Sequence, residues 1–183
     1  AGNFTFYIGI TWMLPYLTER FSLGAAEAAR YAMVPLIAGA VSNWTAGLAV
    51  DLLYRGGYRA WSRRLPGVAG FLVAATGVTM VTLAGTPLMA VVGFATAIAG
   101  VELTISPSWA YCMDIGGRNS GGVSGAMNML GNFGGFVSAN AFPYLYGLTH
   151  SANTYFYLAA LLNFAGALCW LRMRPRDAGR AYE

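Results

Sequence analysis

The chain has 183 residues, of which 57% are hydrophobic and only 10% are charged. Because soluble domains carry about 25% charged residues, this composition excludes an ordinary soluble fold and predicts packed membrane helices. The formal net charge is +4, and every basic residue is an arginine. These arginines lie in short connections between apolar runs, which is typical of membrane topology and not of a nucleic-acid-binding surface.

Six apolar runs are long enough to suggest membrane spans, since a spanning helix needs about 20 mostly apolar residues. In chain order they cover about 3–17, 31–53, 67–84, 88–113, 122–146 and 154–171. We therefore predict an all-α polytopic membrane protein with six helices. The first run starts close to Ala1 without an initiator Met, so we expect an upstream part to be missing.

The arginines test this segmentation independently. The connections after the first, third and fifth runs hold only Arg20 and Arg30. The segments after the second, fourth and sixth runs, 54–66, 114–121 and 172–183, hold the other nine: Arg55, Arg59, Arg63, Arg64, Arg118, Arg172, Arg174, Arg176 and Arg180. The positive-inside rule then predicts that both ends of this segment face the cytoplasm. We expect an integral protein of a bacterial inner membrane.

Six helices with both ends inside form one half of the commonest plan for secondary transporters. In that plan two six-helix halves enclose a site near the bilayer midplane, and each half contains two three-helix repeats. Residues 1–85 and 86–183 show no convincing sequence identity to each other. The expected partner of this segment is the missing N-terminal half of the same chain.

The end of the second run and the connection after it carry a motif. Gly47 and Asp51 are followed by basic residues that include Arg55, Arg63 and Arg64. This resembles the Gly-x-x-x-Asp loop signature of the major facilitator superfamily, although Leu52 stands where that signature has arginine. An aspartate at a helix end can pair with loop arginines or cap a neighbouring helix, holding one conformation. The alternative is a plain interfacial aspartate beside snorkelling arginines.

The stretch 106–147 is more specific. Trp109 is followed five residues later by Asp114, then by Ser-Gly and by Asn-x-x-Gly-Asn-x-Gly-Gly beginning at Asn128. This pattern resembles the anion:cation symporter family, which includes sugar-acid permeases and carriers of phosphate, sialate and glutamate. The first run, with Thr-Trp-Met-Leu-Pro-Tyr-Leu at 11–17, is similar to that family's seventh helix. The resemblance implies the C-terminal half, helices seven to twelve.

Glu102 is the only acidic residue deep inside a predicted span. A charge at the bilayer centre costs about 2.5–3.5 kcal/mol on insertion scales, so this carboxyl group should face the bundle interior or a water-filled cavity. Ser106 and Trp109 share its helix face, and Pro107 loosens the backbone ladder there. We predict a cavity-facing strip in which Glu102 is a candidate for proton coupling; the alternative is a hydrogen-bonded packing residue.

The family resemblance implies that Ser106, Trp109 and Asn128 line a substrate cavity, and hydroxyl and amide groups suit a hydroxylated acid. Asn132 lies one turn from Asn128 on the same face. The alternative for these residues is hydrogen bonding between helices. In the first run, Tyr7 and Thr11 could reach a ligand in the cavity; the alternative is packing and an aromatic belt at the interface. Asn43 is expected between helices and His150 in an external loop. A face of small residues on the fifth run predicts close helix packing and would also permit sliding: Gly121, Gly122, Gly125, Gly131, Gly134 and Gly135.

The function predicted from these features is secondary active transport of a small organic anion, a sugar acid or another carboxylate, by proton symport and alternating access. A proton or sodium gradient would drive it, and we expect no cofactor, metal site or catalytic residue. No predicted span contains Arg or Lys, so the cation that meets the carboxylate should come from the missing half. The alternatives are a membrane-embedded enzyme, a non-transporting scaffold and a self-dimerising six-helix carrier.

Overall fold

The computed structural model describes residues 1–173, and all secondary structure in this range is helical, which confirms the all-α class for it. Arg174, Arg176 and Arg180 lie outside the described residues. The helices are α1 (Gly2–Thr11), α2 (Met13–Phe21), α3 (Ala25–Arg55), α4 (Arg59–Thr82), α5 (Pro87–Leu103), α6 (Ile105–Gly116), α7 (Ser120–Thr149) and α8 (Asn153–Arg172), with a 3-10 turn over Gly117–Asn119.

Two of the predicted spans are interrupted. The first is divided into α1 and α2 at Trp12, and the fourth into α5 and α6 at Thr104. In both places a proline follows three residues after the junction, at Pro15 and Pro107. Proline lacks the N–H that would pair with the carbonyl group four residues earlier, and its ring crowds that carbonyl. The ladder therefore breaks at the same distance before each proline.

Four helical stretches in the described range are long and apolar enough to cross a membrane: α3, α4, Pro87–Thr149 and α8. The third has 63 residues and as one straight helix would be about 95 Å long. It reverses direction instead, because α6 packs against α7 after the turn at Gly117–Asn119. The short helices α1 and α2, with 10 and 9 residues, do not individually reach the length of a span.

The connections are sorted to two ends of the bundle. At one end, Arg63 of α4 pairs with Asp114 of α6, and Arg64 reaches the carbonyl group of Met173 after α8. The described parts of the three arginine-bearing connections therefore meet there. At the other end, Arg20 and the residues 150–153 line one cavity together with the end of α4. Within residues 1–173 these groups therefore lie at opposite ends of the bundle.

Glycines bring α4 and α5 into backbone contact. Gly70, Ala74 and Gly77 on α4 face Gly93, Ala97 and Gly100 on α5, with the same spacing of four and then three residues on each helix. A Cβ added at Gly77 would meet the Ala97 backbone nitrogen, and one added at Gly70 would lie 2.6 Å from the Gly100 carbonyl oxygen. Small residues permit such close approach in membrane helices.

The glycines of α7, which we predicted to be close-packed, behave differently. Gly121, Gly122, Gly125 and Gly134 have nothing within 4 Å of an added Cβ, and only Gly131 and Gly135 contact another helix. Most of α7 lies outside the core, and apolar side chains such as Phe133, 63% exposed, point away from the bundle. The small face of α7 is therefore largely open in this chain.

Replacing Gly77 with alanine tests the α4–α5 contact. The added methyl group must force two backbones apart, so we expect a loss in the free energy of unfolding of about 2 kcal/mol or more, as for overpacked cores. Reversible unfolding of the purified intact protein in mixed micelles measures it.

The matched control is Gly125→Ala, a helical glycine with open space around it. Alanine favours helix over glycine by about 1 kcal/mol, so this variant should be unchanged or slightly more stable. Equal destabilisation by both substitutions would contradict the packing described here.

Candidate functional site

Hydrogen bonds connect Tyr7, Asn132 and Asn128 across the α1–α7 contact. The Tyr7 hydroxyl group donates to Asn132 Oδ1 at 3.3 Å. The Asn132 amide nitrogen donates to the Asn128 carbonyl oxygen at 3.0 Å and lies 3.3 Å from Asn128 Oδ1. Both asparagines are exposed and Tyr7 is half-buried. The structure thus brings together three of the six predicted substrate residues, and we call them the polar ladder.

Two glycines of α7 position the polar ladder. The Tyr7 ring lies where a Cβ on Gly135 would be, at 2.5 Å from Cε2, and the Asn3 amide nitrogen lies 3.0 Å from a Cβ on Gly131. A side chain at either position would displace α1 from α7. The Asn-x-x-Gly-Asn-x-Gly-Gly pattern therefore places two amides and a notch for an aromatic ring on one helix.

Buried polar groups, which the sequence reasoning missed, fix α1 in place. Ser138 Oγ and the Tyr155 hydroxyl group both donate to the Phe4 carbonyl oxygen, at 2.7 and 3.1 Å. The Asn163 amide donates to Thr5 Oγ1 at 2.6 Å. These bonds tie α1 to α7 and α8 within apolar surroundings, where an unpaired polar group is costly. The sequence did contain a signal for these bonds, because each of these polar residues lies inside an apolar run.

Glu102 lies in a different place from the polar ladder. Its Oε2 accepts a hydrogen bond from the Asn43 amide of α3 at 2.6 Å, so Asn43 does join helices. Both side chains line a cavity of about 330 Å³ between α1, α3 and α5, with Phe6, Trp44 and Ile98. The carboxyl group therefore combines the two readings of the sequence, since it is hydrogen-bonded between helices and also faces a cavity.

The predicted strip of Glu102, Ser106 and Trp109 is only partly a unit. Ser106 faces α3 as Glu102 does, with its Oγ 3.7 Å from a Cβ position on Gly47. Trp109 is 44% exposed. Thr11 is exposed at the end of α1. Within residues 1–173, no hydrogen bond joins Thr11, Ser106 or Trp109 to the polar ladder.

The loop arginines find a different acidic partner from the predicted one. Asp51 is exposed and forms no ion pair within the described range, and Arg55 is also exposed. Asp114 instead accepts two hydrogen bonds from Arg63, Nε to Oδ2 at 2.9 Å and Nη2 to Oδ1 at 3.2 Å. Paired hydrogen bonds of this kind are strong and directional.

Tyr54 and the end of α8 complete this arginine cluster. The Arg63 guanidinium group lies 5.0 Å from the centre of the Tyr54 ring, a cation–π distance. Arg64 Nε donates to the Met173 carbonyl oxygen at 2.6 Å, and a cation at a helix C-terminus is electrostatically favourable. The cluster joins α3, α4, α6 and α8 at one end of the bundle.

Comparison with known proteins points to transport. The chain is 28% identical over 177 residues to a probable sulfoacetate transporter of Cupriavidus necator, covering 94% of this chain and 40% of that protein. It is 25% identical to probable anion transporter 3, chloroplastic, of Arabidopsis thaliana, covering 93% of this chain and 34% of the relative. The rice protein named probable anion transporter 2, chloroplastic, is 23% identical, with 92% and 32% covered.

No family model matches the chain. The chain spans between about a third and two-fifths of the length of these relatives. Their shared naming as anion transporters, together with the apolar helices, supports an integral membrane protein related to anion transporters.

Proposed function

We propose that the chain forms the C-terminal six-helix half of a secondary transporter of the major facilitator type and carries one wall of its substrate site. The similarity to proteins named as anion transporters over nearly the whole chain supports this. The relatives' greater length favours a second half over a six-helix carrier that dimerises. The naming of the relatives also favours a carrier over a membrane enzyme or a scaffold.

The polar ladder is the observation that carries the proposal. Exposed amides in the middle of a long apolar helix are costly in lipid, where no water satisfies them. Asn128 and Asn132 are both exposed on α7, beside glycines that leave open space. A water-filled cavity between two halves would satisfy both amides and give a ligand access to them.

The ladder suits a small hydroxylated or carboxylated anion. Amide groups both donate and accept hydrogen bonds, and a phenol does the same. The substrate class we propose is a sugar acid or another small carboxylate, and the sulfoacetate named for one relative contains a carboxylate. Because the ladder carries no charge, the cationic partner would come from the other half of the transporter.

Glu102 is the proposed coupling group for protons. It lies deep inside a predicted span, it is half-buried, and it lies beside a cavity with an amide partner. A carboxyl group so placed can bind a proton from one side and release it to the other as the halves alternate. A sodium gradient is the competing driving force, and the test below separates the two.

The proposed orientation has both ends of the segment in the cytoplasm. Arg63, Arg64 and the end of α8 lie together, as the positive-inside rule requires of cytoplasmic connections. We propose a bacterial inner membrane as the location; two of the relatives are named as chloroplastic.

Removing the ladder amides should weaken substrate binding. A hydrogen bond contributes about 1 kcal/mol, so Asn128→Ala and Asn132→Ala should each raise the KM of uptake about fivefold in proteoliposomes of the intact protein, tested with hexonates, hexuronates and sulfoacetate.

The matched control is Asn140→Ala. Asn140 is exposed on the same helix, and its amide donates to the carbonyl group four residues earlier, as that of Asn132 does. The KM of uptake by the Asn140→Ala variant should stay unchanged. If all three substitutions act alike, the ladder is not a substrate site.

Replacing Glu102 with glutamine should separate coupling from transport. We expect accumulation driven by a pH gradient to fall to background while substrate exchange between the two sides persists, because glutamine keeps the bond with Asn43 but cannot release a proton. Paired uptake and counterflow assays measure both.

Glu27→Gln is the control, since Glu27 is an exposed carboxylate in the first turn of α3. Full accumulation driven by a pH gradient in Glu102→Gln would remove the coupling proposal. If Glu102→Gln lost only the accumulation that a sodium gradient drives, sodium and not the proton would be the coupling ion.

A further inference from the structure

A cavity of about 560 Å³ lies at the end of the bundle opposite the arginine cluster. It is formed by the α1–α2 junction, the last turns of α4 and α7, and the connection 150–153. Its volume is in the range of small-molecule sites, about 300–1,000 Å³. The polar ladder and Glu102 do not line it.

One wall of the cavity is aromatic. The Trp12 ring stacks on Phe142 with centroids 5.0 Å apart, and Phe142 stacks on Tyr146 at 6.2 Å. The Trp12 indole nitrogen donates to the Ala139 carbonyl oxygen at 3.3 Å, which fixes the ring. Three rings in sequence present an apolar surface to a flat ligand.

The titratable side chains of the cavity are Glu19, Arg20 and Tyr16 from α2, Tyr146 from α7, and His150. The parts of α4 and α8 that line it add none. Arg20 forms no ion pair within residues 1–173, and Glu19 is its neighbour on the helix, so the two side chains diverge. The cavity thus holds one permanent cation, one carboxylate and one imidazole.

The connection that carries His150 is held by hydrogen bonds. His150 adopts a left-handed conformation, with φ 51°, and its N–H donates to the Tyr146 carbonyl oxygen at 2.8 Å, ending α7. Thr149 Oγ1 bonds the Leu145 and Ser151 carbonyl oxygens. A residue other than glycine in this conformation is uncommon. Here the hydrogen bonds of the connection hold the His150 backbone at the cavity rim.

We propose that this cavity binds a small carboxylate or sulfonate with a flat apolar body. The anionic group would lie at Arg20, the permanent cation of the lining, with the apolar body against the rings of Trp12 and Tyr146. His150, at the rim, adds a ring nitrogen for a hydrogen bond to the ligand.

Calorimetric titration of the intact protein in lipid nanodiscs with benzoate tests the proposal. Benzoate should bind, and neutral benzyl alcohol should bind about tenfold more weakly, because it lacks the charge that meets Arg20. Arg20→Gln should weaken benzoate binding about tenfold, as the loss of a charge-assisted bond implies. Arg20→Lys should keep part of the affinity, and Glu19→Gln should strengthen benzoate binding.

His150→Asn removes the imidazole and keeps the backbone, because asparagine accepts the left-handed conformation. It should weaken benzoate binding less than Arg20→Gln does, because the cation remains. Arg30→Gln, the other arginine of these connections, is the control and should change nothing. An unchanged affinity in Asn132→Ala would exclude binding at the polar ladder.

Three results would overturn the proposal: no binding of benzoate, benzyl alcohol binding as tightly as benzoate, or Arg30→Gln acting as strongly as Arg20→Gln.

Discussion

Backbone contact between α4 and α5 is the constraint on which the rest of the bundle depends. With glycine or alanine at six facing positions, the two helices approach until their main chains touch. The other helices then assemble on this pair, with α3 against α5 and α8 against α4. Because the pair is antiparallel and joined by a short connection, it also determines which helix ends lie together.

The remaining geometry follows from how α1 is held. Ser138, Tyr155 and Asn163 bind its first turn, and the glycines of α7 accept the Tyr7 ring. This places the polar ladder on a face that the bundle itself does not cover. The Arg63–Asp114 pair fixes one end of the bundle by joining α4 to α6. The bundle thus combines a close-packed core with an open polar face.

Sequence patterns predicted the all-α class, because it depends on local composition. Hydrophobic runs mark helices wherever they pack, and arginines mark the connections between them. The breaks at Trp12 and Thr104 also had a local cause in Pro15 and Pro107. The sequence reasoning noted both prolines yet treated each span as continuous.

Contacts between residues that are far apart in the sequence could not be predicted from these local patterns. Asp51 and Asp114 both lie at helix ends, and only the packing of α4 against α6 decides which one meets Arg63. The same holds for the glycines. Those of α7 form the denser cluster in sequence, yet Gly77 of α4 and Gly100 of α5 are the ones whose backbones each touch the facing helix. The density of glycines in the sequence does not show which neighbour lies opposite them. Glu102 and Asn43 were both noted, but their bond spans two helices.

The central claim is that the exposed polar face of α7 borders water and substrate instead of lipid. Cysteine accessibility in the intact protein tests it most directly, with Cys112 and Cys169 replaced by serine. Asn128→Cys should react with a membrane-impermeant thiol reagent, and a transported anion should slow that reaction. Leu161→Cys, on an exposed apolar position of α8, should remain unreactive. An Asn128→Cys variant as unreactive as Leu161→Cys would contradict the account.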